Sequence, residues 1–176
     1  MAVTPQGPAF RESFSEVFED HFKMLFGFLD RLSGDPELAA DISQEAFARL
    51  YRRGSMPDSP GAWLVTVGLN LYRNDRAKRS RRRSLLSTAA VQGALSDQPS
   101  APDAVAEREE QARRVRESLD RLDDRDRQLL FLRIEGFSYR EMAGALHLNE
   151  ASVGTLLARA KKAFRAAYEE ADDAPR

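Results

Sequence analysis

Large apolar residues recur along this chain at steps of three and four, the period of an amphipathic helix, and no stretch alternates in the manner of a half-buried strand. Phe10, Phe14, Val17, Phe18, Phe22, Leu25, Phe26, Leu29 and Leu32 predict one long helix with a broad aromatic face. Ser33-Gly34-Asp35-Pro36 closes it and opens a second, with Asp35 as N-cap and Pro36 at the first helical position. That helix turns Leu38, Ile42, Ala46, Phe47, Leu50 and Tyr51 inward and stops near Gly54. After the loop from Gly54 to Pro60, a third helix carries Trp63, Leu64, Val67, Leu71 and Tyr72 and runs on into a basic block. Three such helices close a small core.

From Ser84 to Pro102 the periodicity fails, and Ser, Ala, Gln and Pro dominate, which reads as a tether with a short helical patch. Helical spacing resumes with Val105, Ala112, Val115, Leu119 and Leu122, and a following helix holds Leu129, Leu130, Leu132 and Ile134. Beyond Gly136, Ser138 and Glu141 fit a capping box that opens a short helix with Met142, Ala143 and Leu146. His147-Leu148-Asn149 then turns into a last helix bearing Val153, Leu156, Leu157, Ala160 and Phe164. A short helix, a tight turn and a longer helix have helix-turn-helix spacing. The small Ala143 at the helix crossing and the cations Arg159, Lys161, Lys162 and Arg165 favour DNA binding over a generic helical hairpin. The pattern predicts an all-α protein of two small helical domains, residues 10–83 and 107–170, joined by a flexible linker over 84–106.

Charge sharpens this picture. The 176 residues sum to −1, which excludes a simple polycation. Residues 1–72, however, are net −4, whereas residues 73–83 are net +6. The basic block reads either as a footprint for a polyanion or as a solvated helix end, where cations are favourable in any case. Cysteine is absent and there are two histidines, His21 and His147, so neither a disulfide framework nor a recognisable zinc signature is available. No glycine-rich phosphate loop and no nucleophile–base constellation is visible, and a non-enzymatic chain without a cofactor is expected. The longest apolar run, Ala62–Tyr72, is too short for a membrane span of about 20 residues. The start of the chain lacks the features of a signal peptide, and a cytoplasmic location is expected.

The residues from Gly34 through Asp41, Gln44, Glu45 and Phe47 resemble conserved region 2 of the extracytoplasmic-function group of bacterial RNA polymerase sigma factors, within the sigma-70 family. Trp63-Leu64, Asn70 and the basic run resemble the next part of that region. Leu119–Leu122, Phe137–Ala143 and Arg159–Lys161 resemble region 4. The resemblance covers about residues 10–83 and 107–168, in the same order.

It implies a sigma factor that binds core RNA polymerase, recognises promoter DNA and helps to melt it. Asp41, Gln44 and Glu45 would dock on the β′ clamp; a metal-binding carboxylate pair and a merely solvated acidic face are the other readings of Asp41 and Glu45, one helical turn apart. Asn70, Arg73, Arg76 and Lys78 would face the −10 element, with the loop from Gly54 to Pro60 holding a flipped-out base. Trp63 is read as a core residue, with a wedge into the duplex as the alternative. In region 4, which would also meet the β flap, Glu150, Ala151, Ser152 and Thr155 would face bases of the −35 element. Arg140, Arg159, Lys161 and Lys162 would meet phosphates. The chain departs from the family at Gly154 and Leu156, where Lys or Arg is common. Family members are commonly held inactive by an anti-sigma factor that wraps both domains.

A stand-alone helix-turn-helix regulator and a purely protein-binding adaptor are the rival functions. The first has no use for the Asp41–Glu45 face, and the second predicts no salt-dependent DNA affinity. Two promoter elements about two helical turns apart are separated by roughly 70 Å. The 23 residues of the linker reach that distance only when nearly fully extended, at most ~75–80 Å. The acidic first 72 residues are expected to weaken DNA binding by the free chain.

Overall fold

The computed structural model describes residues 7–86 and 103–172, with side chains over 7–81 and 108–171. Its elements are seven helices: α1 (Pro8–Ser33), α2 (Pro36–Arg53), α3 (Pro60–Leu86), α4 (Asp103–Asp120), α5 (Asp124–Ile134), α6 (Tyr139–Leu146) and α7 (Glu150–Asp172). Each helix expected from the apolar period is present. Helices α3 and α4 run a few residues into the segment assigned to the linker, and the rest of that segment lies outside the described residues.

Local chemistry fixes the turns. Gly34 ends α1 in the left-handed region, φ 64°, a conformation glycine adopts without steric cost. Asp35 then caps α2, its Oδ1 accepting from the Leu38 amide at 3.0 Å. That amide holds the Asp35 carboxyl below its ordinary value of 3.8, against the opposing effect of burial. Asp35→Ala is expected to cost about 1 kcal/mol in urea unfolding at pH 7. Because the folded-state pKa is depressed, the cap's contribution is complete above the ordinary value and disappears as pH falls through the folded one. The difference between the two proteins should therefore shrink below pH 4 and be unchanged between pH 6 and 8.

Helices α1, α2 and α3 pack against one another. Leu25, Phe28, Leu29 and Leu32 meet Ile42, Ala46, Phe47 and Leu50 of α2, and Leu64, Val65 and Leu69 of α3, all buried. An added Cβ at Gly68 would lie 3.3 Å from Leu25 and 3.5 Å from Leu29, so the missing side chain sets how closely α3 approaches α1. Nearer the chain start the aromatic face is filled by rings: Phe18 stands edge-on to Phe47 at 4.9 Å and Phe14 edge-on to Tyr51 at 5.2 Å.

In the second half, α4, α5 and α6 each pack on α7. Leu129, Leu132, Met142, Ala145, Val153 and Leu157 form its centre. Ile134, assigned to this core from its spacing, is instead 75% exposed. It is the last residue of α5, where the chain turns away at Gly136 (φ 84°), so no later turn covers it. Buried residues of both halves form one continuous apolar cluster, with Phe28 and Phe131 meeting edge-on at 6.5 Å.

Candidate polymerase- and DNA-binding surfaces

Alternation of buried and exposed positions on α2 decides what its outer side offers. Ile42, Ser43, Ala46 and Phe47 point inward, which leaves Asp41 and Gln44 exposed and Glu45 half-buried on the opposite side. Glu45 is engaged within its own helix: its Oε1 accepts from Arg49 and from Arg52, each at 2.8 Å. Those hydrogen bonds, Arg49 first, hold its carboxyl below the usual glutamate value. Asp41 has no hydrogen-bond or ion-pair partner among the described residues and is the freest charge of the trio. No group of three or more metal-ligating side chains occurs among the described residues.

The third helix carries the cations. Asn70, Arg73 and Arg76 follow at steps of three and share one side, where Arg73 donates to Asn70 Oδ1 at 3.4 Å. Lys78 is exposed but does not join them: two residues beyond Arg76 it lies about 200° further round the helix. Spacing along the sequence grouped the four, and the 100° step of the α-helix separates one. Arg73 is half-buried, and desolvation lowers its guanidinium from the usual arginine range. Arg76 moves the other way, raised by its hydrogen bond to Asp124 of α5. Trp63 packs against the core as expected, but its ring is only partly buried, and Arg53 lies over it at 5.8 Å. Gly54 (φ 71°) begins the loop that ends at Ser59.

The helix-turn-helix is built as the sequence predicts. Ser138 and Glu141 cap each other's backbone amides, His147 ends α6 at φ 55°, and Asn149 Oδ1 accepts from the Ala151 amide at 3.0 Å to start α7. Burying Val153, Leu157 and Ala160 puts Ala151, Ser152, Thr155, Arg159 and Lys162 into one exposed stripe. Glu150 and Lys161 are exposed as well, but on a helix they fall roughly 130–150° from the stripe's centre. Arg140 is exposed on α6. Arg159 is partly committed inside the chain, donating at 3.3 Å to the buried Asp126, which also accepts from Arg125. Leu156 packs against the core, and Gly154 faces the ring of Tyr139, so neither departure from the family pattern belongs to the exposed stripe.

An added Cβ at Gly154 would meet Tyr139 at 3.4 Å, an ordinary contact. Gly154→Ala is therefore expected to stabilise the fold by about 1 kcal/mol, read as a higher urea midpoint; a lower midpoint would show that the backbone there needs glycine.

An acidic outer side on α2, a cationic side on α3 and a helix-turn-helix with a polar stripe now stand in one chain. Residues 17–82 match the family described as Sigma-70 region 2, and residues 112–164 match Sigma-70, region 4. The chain belongs to the extracytoplasmic-function group of sigma-70 RNA polymerase sigma factors. It is 27% identical over 162 residues to the ECF RNA polymerase sigma factor SigX of Bacillus subtilis, covering 88% of this chain and 82% of that protein. It is 28% identical over 151 residues to the RNA polymerase sigma-H factor of Pseudomonas aeruginosa, covering 80% and 78%. Its fold is shared with the sigma factor RpoE of Bartonella quintana, solved with the anti-sigma factor NepR: TM-score 0.71 at 19% identity, over 90% of this chain and 98% of that one. This sigma factor directs core RNA polymerase to promoters in transcription initiation, and the family is non-catalytic.

What the sequence alone missed lies on α5 and α6. Asp124 and Gln128 carry no motif that marks them, and Glu141 was legible only as a helix cap, yet they bond Arg76, Arg73 and Ser59 respectively.

Proposed function

We propose that this sigma factor divides its work among three surfaces. Asp41 and Gln44, with Glu45 beside them, dock on the β′ clamp of core polymerase. Asn70, Arg73 and Arg76, with the loop from Gly54 to Ser59, hold the −10 element as it opens. The stripe of Ala151, Ser152, Thr155, Arg159 and Lys162 lies in the major groove of the −35 element, while the β flap meets the same domain. Lys78, Arg140 and Lys161 supply outlying phosphate contacts, and Glu150 lies at the groove entrance. The domains run over about residues 10–83 and 107–170. The protein has no catalytic residues of its own and acts in the cytoplasm; among the described residues no helix is long and apolar enough to cross a membrane.

The observation that carries this reading is the separation of charge by helix face. An unpaired carboxylate, Asp41, is exposed on the outer side of α2, while Asn70, Arg73 and Arg76 share one side of α3. A stand-alone DNA-binding regulator has no need of the acidic side. An anti-sigma factor that contacts both domains is the natural inhibitor, as for the relative solved with NepR.

Run-off transcription tests the proposal. Core polymerase plus this chain should initiate on promoters of its own genome where core alone does not. If added protein leaves initiation unchanged, and core polymerase fails to retain it on a column, the proposal fails.

A further inference from the structure

We infer that Asp126 is a positioning residue of the −35 domain: its buried carboxylate gathers Arg125 of α5 and Arg159 of α7 into a two-arginine clamp for one phosphate of duplex DNA. The inference rests on the assignment of the α7 stripe to duplex DNA, and it adds two residues, Arg125 and Asp126, that no motif marks.

Asp126 is the only buried carboxylate among the described residues, its side chain 7% exposed. A carboxylate withdrawn from water is costly unless cations and hydrogen bonds compensate it. Here both compensating groups meet the same atom. Arg159 Nη2 donates to Asp126 Oδ1 at 3.3 Å, and Arg125 Nε donates to that oxygen at 3.4 Å. The two arginines belong to different helices, so the anion between them is what draws two like charges to one point. The helix dipole does not account for the burial: Asp124, in the same first turn of α5, has that benefit while remaining half-exposed.

What faces outward is cationic. The side chains of Arg125 and Arg159 are 43% and 55% exposed, so an approaching molecule meets the guanidiniums and not the carboxylate. Each keeps donors for it: among the described residues, Arg125 leaves both Nη groups unused and Arg159 leaves Nε and Nη1. Planar forks of this kind match phosphate oxygens. The location fits as well. Arg159 follows Thr155 by one turn on the exposed stripe, and Arg125 lines one cleft with Leu146 and His147, at the turn between α6 and α7. A phosphate gripped there borders the groove that the stripe enters, and such contacts fix the register of a recognition helix. Holding both forks in place beforehand removes part of the side-chain ordering cost of binding.

The sign of one substitution decides the matter. If Asp126 acted through its charge alone, neutralising it would tighten DNA binding; if it holds the clamp, neutralising it weakens binding. The full-length chain is titrated at low salt with a mixed-sequence DNA duplex. Asp126→Asn should bind about fivefold more weakly than wild type, because two long side chains must then be ordered on binding. Asp123→Asn removes a charge from the same end of α5, where the exposed side chain makes no cap hydrogen bond, and should bind as wild type does or up to about twofold tighter. Arg125→Ala with Arg159→Ala should bind about tenfold more weakly, with a salt slope shallower by about 0.9, the value of one phosphate. Adding Asp126→Asn to that pair should cause no further loss. A purely structural Asp126 would lower affinity equally with and without the two arginines, and that result overturns the clamp. So does binding by Asp126→Asn equal to or tighter than that of wild type. Lys162→Ala, on the stripe but away from Asp126, tests the underlying reading separately: no loss there removes the stripe from DNA, and the Asp126 comparison still decides the clamp.

Discussion

Asp41→Arg should lower capture of core RNA polymerase about 100-fold, or roughly 2.8 kcal/mol, and abolish run-off transcription. Asp41 is exposed on α2 and has no partner among the described residues. Its charge is therefore fully available to a basic partner, and reversing it places like charges face to face, which costs several kcal/mol at an interface. The fold should be untouched, since no described contact depends on the side chain, and the urea midpoint of the variant should match wild type within about 0.5 kcal/mol. Glu45 makes a useful contrast. Its carboxylate already serves Arg49 and Arg52, so Glu45→Ala frees two cations and loses a smaller share of the binding. A pull-down in which Asp41→Arg performs like wild type would remove the acidic side of α2 from the polymerase interface.

Arg73→Ala combined with Arg76→Ala should leave polymerase capture within twofold of wild type and lower run-off transcription by about 100-fold. Two charge-assisted hydrogen bonds to DNA phosphates are lost, each worth about 1.5–3 kcal/mol. The salt dependence provides a second readout. Each phosphate contact on a single strand contributes about −0.7 to the slope of log affinity against log salt, so the double variant should bind single-stranded DNA with a slope shallower by roughly 1.4. An unchanged slope would place the −10 contacts elsewhere on α3, with Lys78 and Arg79 the next candidates.

Comparison of Arg76 with Lys78 shows what a linear reading can and cannot settle. Both are cations of one basic block, but only Arg76 lies on the side of α3 that carries Asn70 and Arg73. The same holds on α7, where all four are exposed and the angular step of the helix sorts Thr155 and Arg159 from Glu150 and Lys161. Gly154 and Leu156, conspicuous as departures from the family pattern, prove to be directed at Tyr139 and the core, away from the stripe.

The helices, their caps and the helix-turn-helix were legible because short-range physics sets them: the apolar period, Asp35 before Pro36, the Ser138–Glu141 box and the Asn149 cap each act within four residues. The acidic and basic surfaces were legible for the same reason, since charge on a helix face follows from spacing. Pairing between Asp124 and Arg76, or Gln128 and Arg73, joins residues 48 and 55 positions apart across a junction that no periodicity records. Tertiary packing alone decided that the two halves lie against each other and that Arg73 and Arg76 meet Gln128 and Asp124, because that outcome depends on how two finished surfaces fit together and not on how either one is made.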